Sequence, residues 1–335
     1  MSLTIASVNV NGIRAATKIR NENNPGMLAW LADTPADVVL MQEVRATVDQ
    51  ARAALAPALE KGWHLAVAPA ETPGAKGRAG VGILSRTPLN DVTFGIPSFE
   101  DAGRFIAATL SDGTRVGSLY LPSGSADTPK QDEKYRFLDE FEPLLEQWAG
   151  EYPDMVIGGD WNICHRREDL KNWKTNRKKS GFLPHERAFM DAVFGCFPDE
   201  QPQDADVKAD AVWAGAVEYV SEGRREANGS PKWFDVARRL HPEDAPYTWW
   251  TFRGQAFNND AGWRIDVQAA TANMLERAER TWVDKAPTVE QRWSDHSPLL
   301  VEYRQMLNTV QGRSTLTSTC DVNHRERSAA SDRHP

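Results

Sequence analysis

Short apolar runs of strand length punctuate this chain, and no other feature narrows its fold as much. Leu3 to Val10, Asp37 to Gln42, Val81 to Ser85, Arg104 to Leu110, Arg115 to Leu121 and Met155 to Gly158 read as strands. So do Trp263 to Ala269, Thr281 to Val283 and Pro298 to Tyr303. They are β-branched in part and bounded by Gly, Pro, Asn or Asp, the pattern of strands separated by turns. Several are apolar on both faces, as strands covered on both sides should be. Helical stretches lie between them. Pro25 to Leu31 is one and Pro184 to Phe194 another, both with Pro in the first turn. Thr128 to Trp148 is the longest, with Tyr135, Leu138, Phe141, Leu145 and Trp148 spaced as one apolar stripe. Pro143 is expected to bend it or end it early. Many strands and few helices predict an α/β protein of two sheets packed face to face with helices outside.

The length of 335 residues would admit two domains at about 150 residues each. No Pro/Gly/Ser linker divides residues 1–306, however, so that span reads as one catalytic domain, with 199–230 as an insertion. Residues 307–335 are polar and aperiodic and read as a disordered tail. No 18-residue apolar run occurs, which excludes a membrane-spanning helix. The N-terminal residues lack the basic-then-apolar order of a secretory signal. Cys164, Cys196 and Cys320 show no metal-ligand spacing and cannot staple a fold. The expectation is a reduced, cytoplasmic protein.

The net charge of -8 argues against a protein that coats nucleic acid without selectivity. It leaves room for one basic face. Residues 171–179 supply five bases and no acid: Lys171, Lys174, Arg177, Lys178 and Lys179. Residues 198–226 hold eight acids against three bases. Such runs are usually solvated loops; the functional reading is a phosphate-gripping loop, with an acidic insertion kept away from it.

Polar residues end the apolar runs. Asn9 and Asn11 close the first, Gln42 and Glu43 the second, Tyr120 a later one, Asp160 and Asn162 another. Asp266 lies inside WRID, and Asp295 and His296 precede the last run. Taken singly, these are turn residues, caps or surface carboxylates. Asp266 is harder to dismiss, because a carboxylate in an apolar strand needs a partner. Taken together, they suit phosphodiester hydrolysis. Glu43, Asn11 and Asp295 offer oxygen ligands to a hard cation such as Mg²⁺. Asp160 is placed to take a proton from water and Asn162 to orient that water. His296 is a donor to a phosphate oxygen, Asp266 the carboxylate that fixes its tautomer, and Tyr120 a donor or acid. No Ser or Cys nucleophile motif and no P-loop is present, which favours direct attack by water.

The blocks NVNGIRA (9–15), QEVRA (42–46), GVGILSR (80–86), LYLPSG (119–124), GDWNI (159–163), YTWW (247–250), GWRID (262–266) and SDHSPL (294–299) occur in this order. Together they resemble the exonuclease III family of AP endonucleases, of bacterial type, within the endonuclease/exonuclease/phosphatase superfamily, over roughly residues 3–304. The resemblance implies a four-layer α/β sandwich and Mg²⁺-dependent cleavage 5′ to abasic sites in double-stranded DNA, with Mn²⁺ as a substitute metal. It also implies 3′–5′ exonuclease activity, trimming of blocked 3′ ends, and a monomer that joins the nucleoid during repair. By position Glu43 resembles the family's principal metal ligand, with Asn11 and Asp295 nearby. Asp160 resembles its water-activating aspartate, Asn162 its transition-state partner, Asp266 and His296 its dyad, Tyr120 its phosphate-contacting tyrosine, and Asn9 a site-organising amide. Trp249, Trp263 and Ile265 resemble its pocket for the flipped, base-less sugar, and Arg253 its helix-probing loop. Their commoner role would be core packing for the aromatics and plain surface for the arginine.

The chain departs from the family at Ser123, where relatives carry a longer amide, and at Val267, where a bulkier residue is common. No extension is expected before the first strand. A second reading is a phosphodiesterase or phosphatase acting on a small or lipid phosphate. A third is an inactive DNA-binding module, against which the full set of polar residues argues.

Overall fold

A computed structural model describes residues 2–73, 77–203, 213–220 and 225–305. The described part forms one compact unit reaching Gln305. The tail expected at 307–335 lies outside the described residues. In chain order the elements are β1 (Ser2–Asn9), α1 (Ile13–Ala16), α2 (Met27–Asp33), β2 (Val38–Gln42), α3 (Val48–Leu59), β3 (His64–Ala68), β4 (Val81–Ser85), β5 (Asn90–Phe94), β6 (Phe105–Thr109) and β7 (Arg115–Tyr120). They continue as α4 (Pro129–Glu151), β8 (Met155–Asp160), α5 (Trp173–Asn176), α6 (Pro184–Phe194), β9 (Trp233–Asp235), α7 (Val236–Leu240), β10 (Asp266–Thr271), α8 (Ala272–Arg277), β11 (Ala278–Val283) and β12 (Leu299–Arg304).

The strands make two six-stranded sheets, ordered β11-β12-β1-β2-β4-β3 and β5-β6-β7-β8-β10-β9. Alternation along each strand sorts its side chains into layers. Ile5, Val38, Leu40 and Ile83 meet Ile106, Val116, Val156 and Ala270 between the sheets. Val8, Val39, Met41 and Leu84 face out onto Ile13, Met27, Leu31 and Leu55 of α1, α2 and α3. On the other outer face Phe105, Leu119 and Ile157 pack under Tyr135, Leu138, Phe141 and Leu145 of α4 and Phe189 of α6. The result is helix, sheet, sheet, helix, the four-layer sandwich expected.

Each sheet has one parallel pair at its centre, β1 with β2 and β7 with β8. Both members of a parallel pair end on the same side. β12 runs antiparallel to β1, and β10 antiparallel to β8, so these two begin where their partners end. Six chain positions therefore arrive at one end of the sandwich.

Several sequence expectations need correction. Asp266 opens β10 instead of lying inside a longer strand. Trp263 makes isolated bridges to Leu170 and Trp249, since the backbone there binds the loops that form a cleft wall. The structure adds three edge strands, β3, β5 and β9; β5 is mostly exposed and has no apolar face to announce it. It also adds helix α3, which Thr47 and Gln50 open with a capping box. Pro57 and the alanine-rich face hid it. Helix α4 is not ended by Pro143 but continues to Glu151, because Phe141 and Leu145 on either side of the proline are buried in the core. The described parts of 199–230 dock on α4 and α6. Trp213 is buried edge-on against Tyr135, and the backbone amides of Val217 and Glu218 donate to Asp132.

Candidate active site

Asn9 sits at the end of β1, fully buried, and organises the centre of the site. Its Nδ2 donates to Glu43 Oε1 at 2.8 Å and to Asp160 Oδ2 at 2.9 Å, and its Oδ1 accepts from the Asn11 amide at 2.9 Å. One side chain thus joins carboxylates delivered by both sheets. Ser294 Oγ donates to the Asn9 carbonyl at 2.6 Å and brings in the segment before β12. Asn11, Glu43 and Asn162 all lie in the left-handed region, with φ of 49°, 48° and 52°. Non-glycine residues hold that conformation only where their surroundings over-determine it, and such residues cluster at functional sites.

The acid–imidazole pair is present. His296 Nδ1 lies 2.8 Å from Asp266 Oδ2, and its Nε2 points toward Asp160 Oδ2 at 3.7 Å. Burial alone would lower the imidazole pKa, but Asp266 and then Asp160 outweigh it and hold it at about 10. Asp160 is pushed up to about 7. Burial is the main cause, with Asp266 and Glu43 adding to it and His296 and Asn9 opposing. Tyr120, whose register partner is Asp160, is raised well above the usual phenol value by burial, then by Glu43 and Asp160. It stays a protonated donor. The Arg104 guanidinium lies over its ring, 4.9 Å from the centroid.

A cleft of about 940 Å³ opens above these groups. Glu43, Tyr120, Asp160, Asn162, Asp295 and His296 line it together with Trp249, Trp263 and Ile265. Asn9 and Asp266 lie buried beneath, and Asn11 reaches the rim by donating to Asp295 Oδ1 at 2.8 Å. Trp249 and Trp263 meet edge to face at 5.8 Å, and Trp249 Nε1 donates to Asp295 Oδ2 at 3.0 Å. Gly181 packs on Trp263, where an added Cβ would lie 3.0 Å from the indole. Arg253 and the five bases of 171–179 do not line the cleft. The bases are exposed on and around α5, whose flanking residues Leu170 and Gly181 contact Trp263. Sequence reasoning missed Arg45, Arg78, Arg104 and Lys130, which also line the cleft. Arg45 stood inside a recognised block; for the others no local pattern signals a shared wall.

Oxygen donors suited to a hard divalent cation are concentrated here. Glu43 is mostly buried, accepts from Asn9 and is ion-paired with Arg45. Asp295 accepts from Asn11 and Trp249, and each carboxylate oxygen keeps lone-pair capacity beyond these bonds. A second grouping is Asp160, Asp266 and His296, whose ligand atoms lie within 4.8 Å of one another. Its imidazole bonds Asp266 through Nδ1 and leaves Nε2 directed toward Asp160 and the cleft. Glu43, Asn11 and Asp295 together offer oxygen donors of the kind that a divalent ion takes.

The family model described as Endonuclease/Exonuclease/phosphatase matches residues 6–296. Among curated proteins, the DNA repair nuclease APEX1 of Danio rerio is 27% identical over 277 residues, covering 82% of this chain and 74% of its own. An exodeoxyribonuclease of Bacillus subtilis is 23% identical over 305 residues, 89% of this chain and 98% of its own. The structure of the 3′ phosphatase NExo from Neisseria bound to product DNA hairpin superimposes with a TM-score of 0.68 at 26% identity, over 90% of this chain and 100% of that one. An AP endonuclease from Archaeoglobus fulgidus has the same fold, with a TM-score of 0.67 at 24% identity over 90% of this chain and 99% of that one. The family's nucleases depend on divalent metals. No helix among the described residues is long and apolar enough to cross a membrane.

Proposed function

The chain belongs to the Endonuclease/Exonuclease/phosphatase family, and from that premise we propose that this DNA-repair nuclease hydrolyses the phosphodiester 5′ to abasic sites in duplex DNA. The observation that carries the reading is the convergence of Glu43, Asp160 and the His296–Asp266 pair on one cleft walled by Trp249, Trp263 and Ile265. The apolar wall of Trp249, Trp263 and Ile265 suits a sugar that has lost its base, and a lesion costs least to extrude. Trimming of 3′ ends and 3′–5′ exonuclease activity are part of the proposal, in line with relatives whose names carry those activities. Arg45, Arg78, Arg104 and Lys130 on the cleft favour a polyanion over a small phosphate.

In this mechanism Asp160 accepts a proton from the attacking water, and Asn162 orients that water. Protonated His296 donates to a phosphate oxygen whose charge grows in the transition state, so its contact lowers the barrier more than it tightens binding. Asp266 holds the imidazole in the required tautomer, Tyr120 donates to phosphate, and Asn9 holds Glu43 and Asp160 in register. Mg²⁺, with Mn²⁺ as a substitute, would be held by Glu43 with Asn11 and Asp295 and would supply positive charge against the phosphoryl oxygens. Arg253 and the bases of 171–179 engage the duplex outside the cleft. The protein acts as a monomer in the cytoplasm. Residues 1–306 form the catalytic domain, and 199–230 is an insertion in it.

The test is a gel assay on a duplex carrying one abasic site, against an undamaged duplex and a small phosphodiester, with Mg²⁺ and with EDTA. Incision 5′ to the lesion, dependent on the metal, is expected. Equal turnover of the small ester, or full incision in EDTA, would overturn the proposal.

A further inference from the structure

Behind the cleft wall lies an ion pair that the proposed chemistry does not use. Lys134 of α4 and Glu186 of α6 are both wholly buried, with Lys134 Nζ 2.7 Å from Glu186 Oε1. Burying such a pair gains little stability over well-packed apolar residues, so its presence asks for another reason. The bonds supply one. Lys134 Nζ also donates to the Asn162 carbonyl at 2.9 Å and to the Ser123 carbonyl at 3.4 Å, which uses all three of its N–H groups. Glu186 Oε2 accepts from the Gly181 and Leu183 amides at 2.7 and 2.9 Å, and its Oε1 accepts from Gln131 Nε2 at 3.0 Å. Ser123, Asn162, Ser180 and Gly181 all line the cleft. Three separate loops are therefore gathered on one pair of charges. The Asn162 backbone is held on both sides of its Cα, its N–H by Asp160 Oδ1 at 3.0 Å and its carbonyl by Lys134 at 2.9 Å. These two bonds fix the left-handed backbone of Asn162 (φ 52°) and with it the direction of its side chain.

We infer that Lys134, anchored by Glu186, is a positioning residue that fixes Asn162 for the chemical step. It touches neither the substrate nor the reacting atoms. The inference rests on the role proposed for Asn162, and its test is built to separate the two.

Lys134→Met strands the Glu186 charge, Glu186→Gln weakens the anchor, and the double variant removes both charges together. Each single variant is expected to lose thermal stability and to show kcat on the abasic duplex lower by roughly ten- to a hundredfold, the scale of a misplaced catalytic group. KM should change less than twofold. In the double variant stability should recover toward the parent while kcat stays low, because nothing then grips the Asn162 carbonyl. Recovery of kcat together with stability would make the pair merely structural and overturn the inference, as would parent-like kcat in all three. Hydrogen exchange is read on the same proteins. Faster exchange confined to residues 121–125, 160–164 and 180–184 in the double variant is expected, and unchanged exchange at 160–164 would overturn it. A parent inactive on abasic DNA would sink the proposed function instead, and the exchange result would still decide the positioning role.

Discussion

Asp266 shows how much one side chain controls in this site. It opens β10, is fully buried, and bonds His296 at 2.8 Å. Removing its charge in Asp266→Asn lets the imidazole fall from about 10 toward its ordinary 6.5. Since protonated His296 is the donor, the alkaline limb of the pH–rate profile should move to lower pH, and turnover should drop roughly ten- to a hundredfold. Stability carries the same signature. Folding raises the His296 pKa, so its contribution is fully present below 6.5 and is lost as pH rises through about 10. The parent's advantage over Asp266→Asn in thermal midpoint should therefore shrink across that window. Wild-type turnover and an unmoved pH profile in the variant would leave Asp266 a structural residue. This pair was legible in the sequence, because a carboxylate in an apolar run needs a polar partner. Lys134 and Glu186 were not, because each sits in a helix where a charged residue is ordinarily a solvated one.

At the scale of elements, β8 carries the tightest constraint. An added Cβ on Gly159 would lie 2.1 Å from the Leu119 carbonyl of β7, and one on Gly158 would lie 2.6 Å from Leu40 and 3.1 Å from Ser7 in the facing sheet. The first clash is with backbone in a paired strand, the second with side chains. Gly158→Ala should cost about 1–3 kcal/mol and Gly159→Ala should exceed it, read as the shift in urea midpoint. Equal costs would mean that β7 yields. The 171–179 element gives a second expectation. Its five bases are exposed beside the cleft and do not enter it, so neutralising all five should raise KM and leave kcat alone. Each lost phosphate contact should flatten the salt dependence of binding by about 0.9 in log–log slope. An unchanged slope would make the loop a bystander. The charge run itself was visible in the sequence. Its place outside the cleft was not, since that depends on Leu170 pairing with Trp263, almost a hundred residues away.

For the whole molecule, the cleft exists because two sheets bring their ends together, and a ligand that binds only this assembled end should stabilise the fold. A divalent ion held by Glu43 after β2 and by Asp295 before β12, both at the cleft end of one sheet, should raise the thermal midpoint in a concentration-dependent way. The gain is about 2.7 kcal/mol at a hundred times Kd. Glu43→Ala should abolish the shift, and an equal shift in that variant would move the ion elsewhere. The chain by itself determined the strand runs and the residue types that end them, because apolar periodicity and turn chemistry are local. It also carried the family blocks in order. Which groups meet was decided only in three dimensions. Asn9 joins Glu43 and Asp160 because a central parallel pair in each sheet ends at the same side, and His296 meets Asp266 because β10 and β12 begin there. The cation wall of Arg45, Arg78, Arg104 and Lys130 follows the same rule. Its members are brought together by long-range strand pairing and sheet packing, and no spacing along the chain encodes that distance.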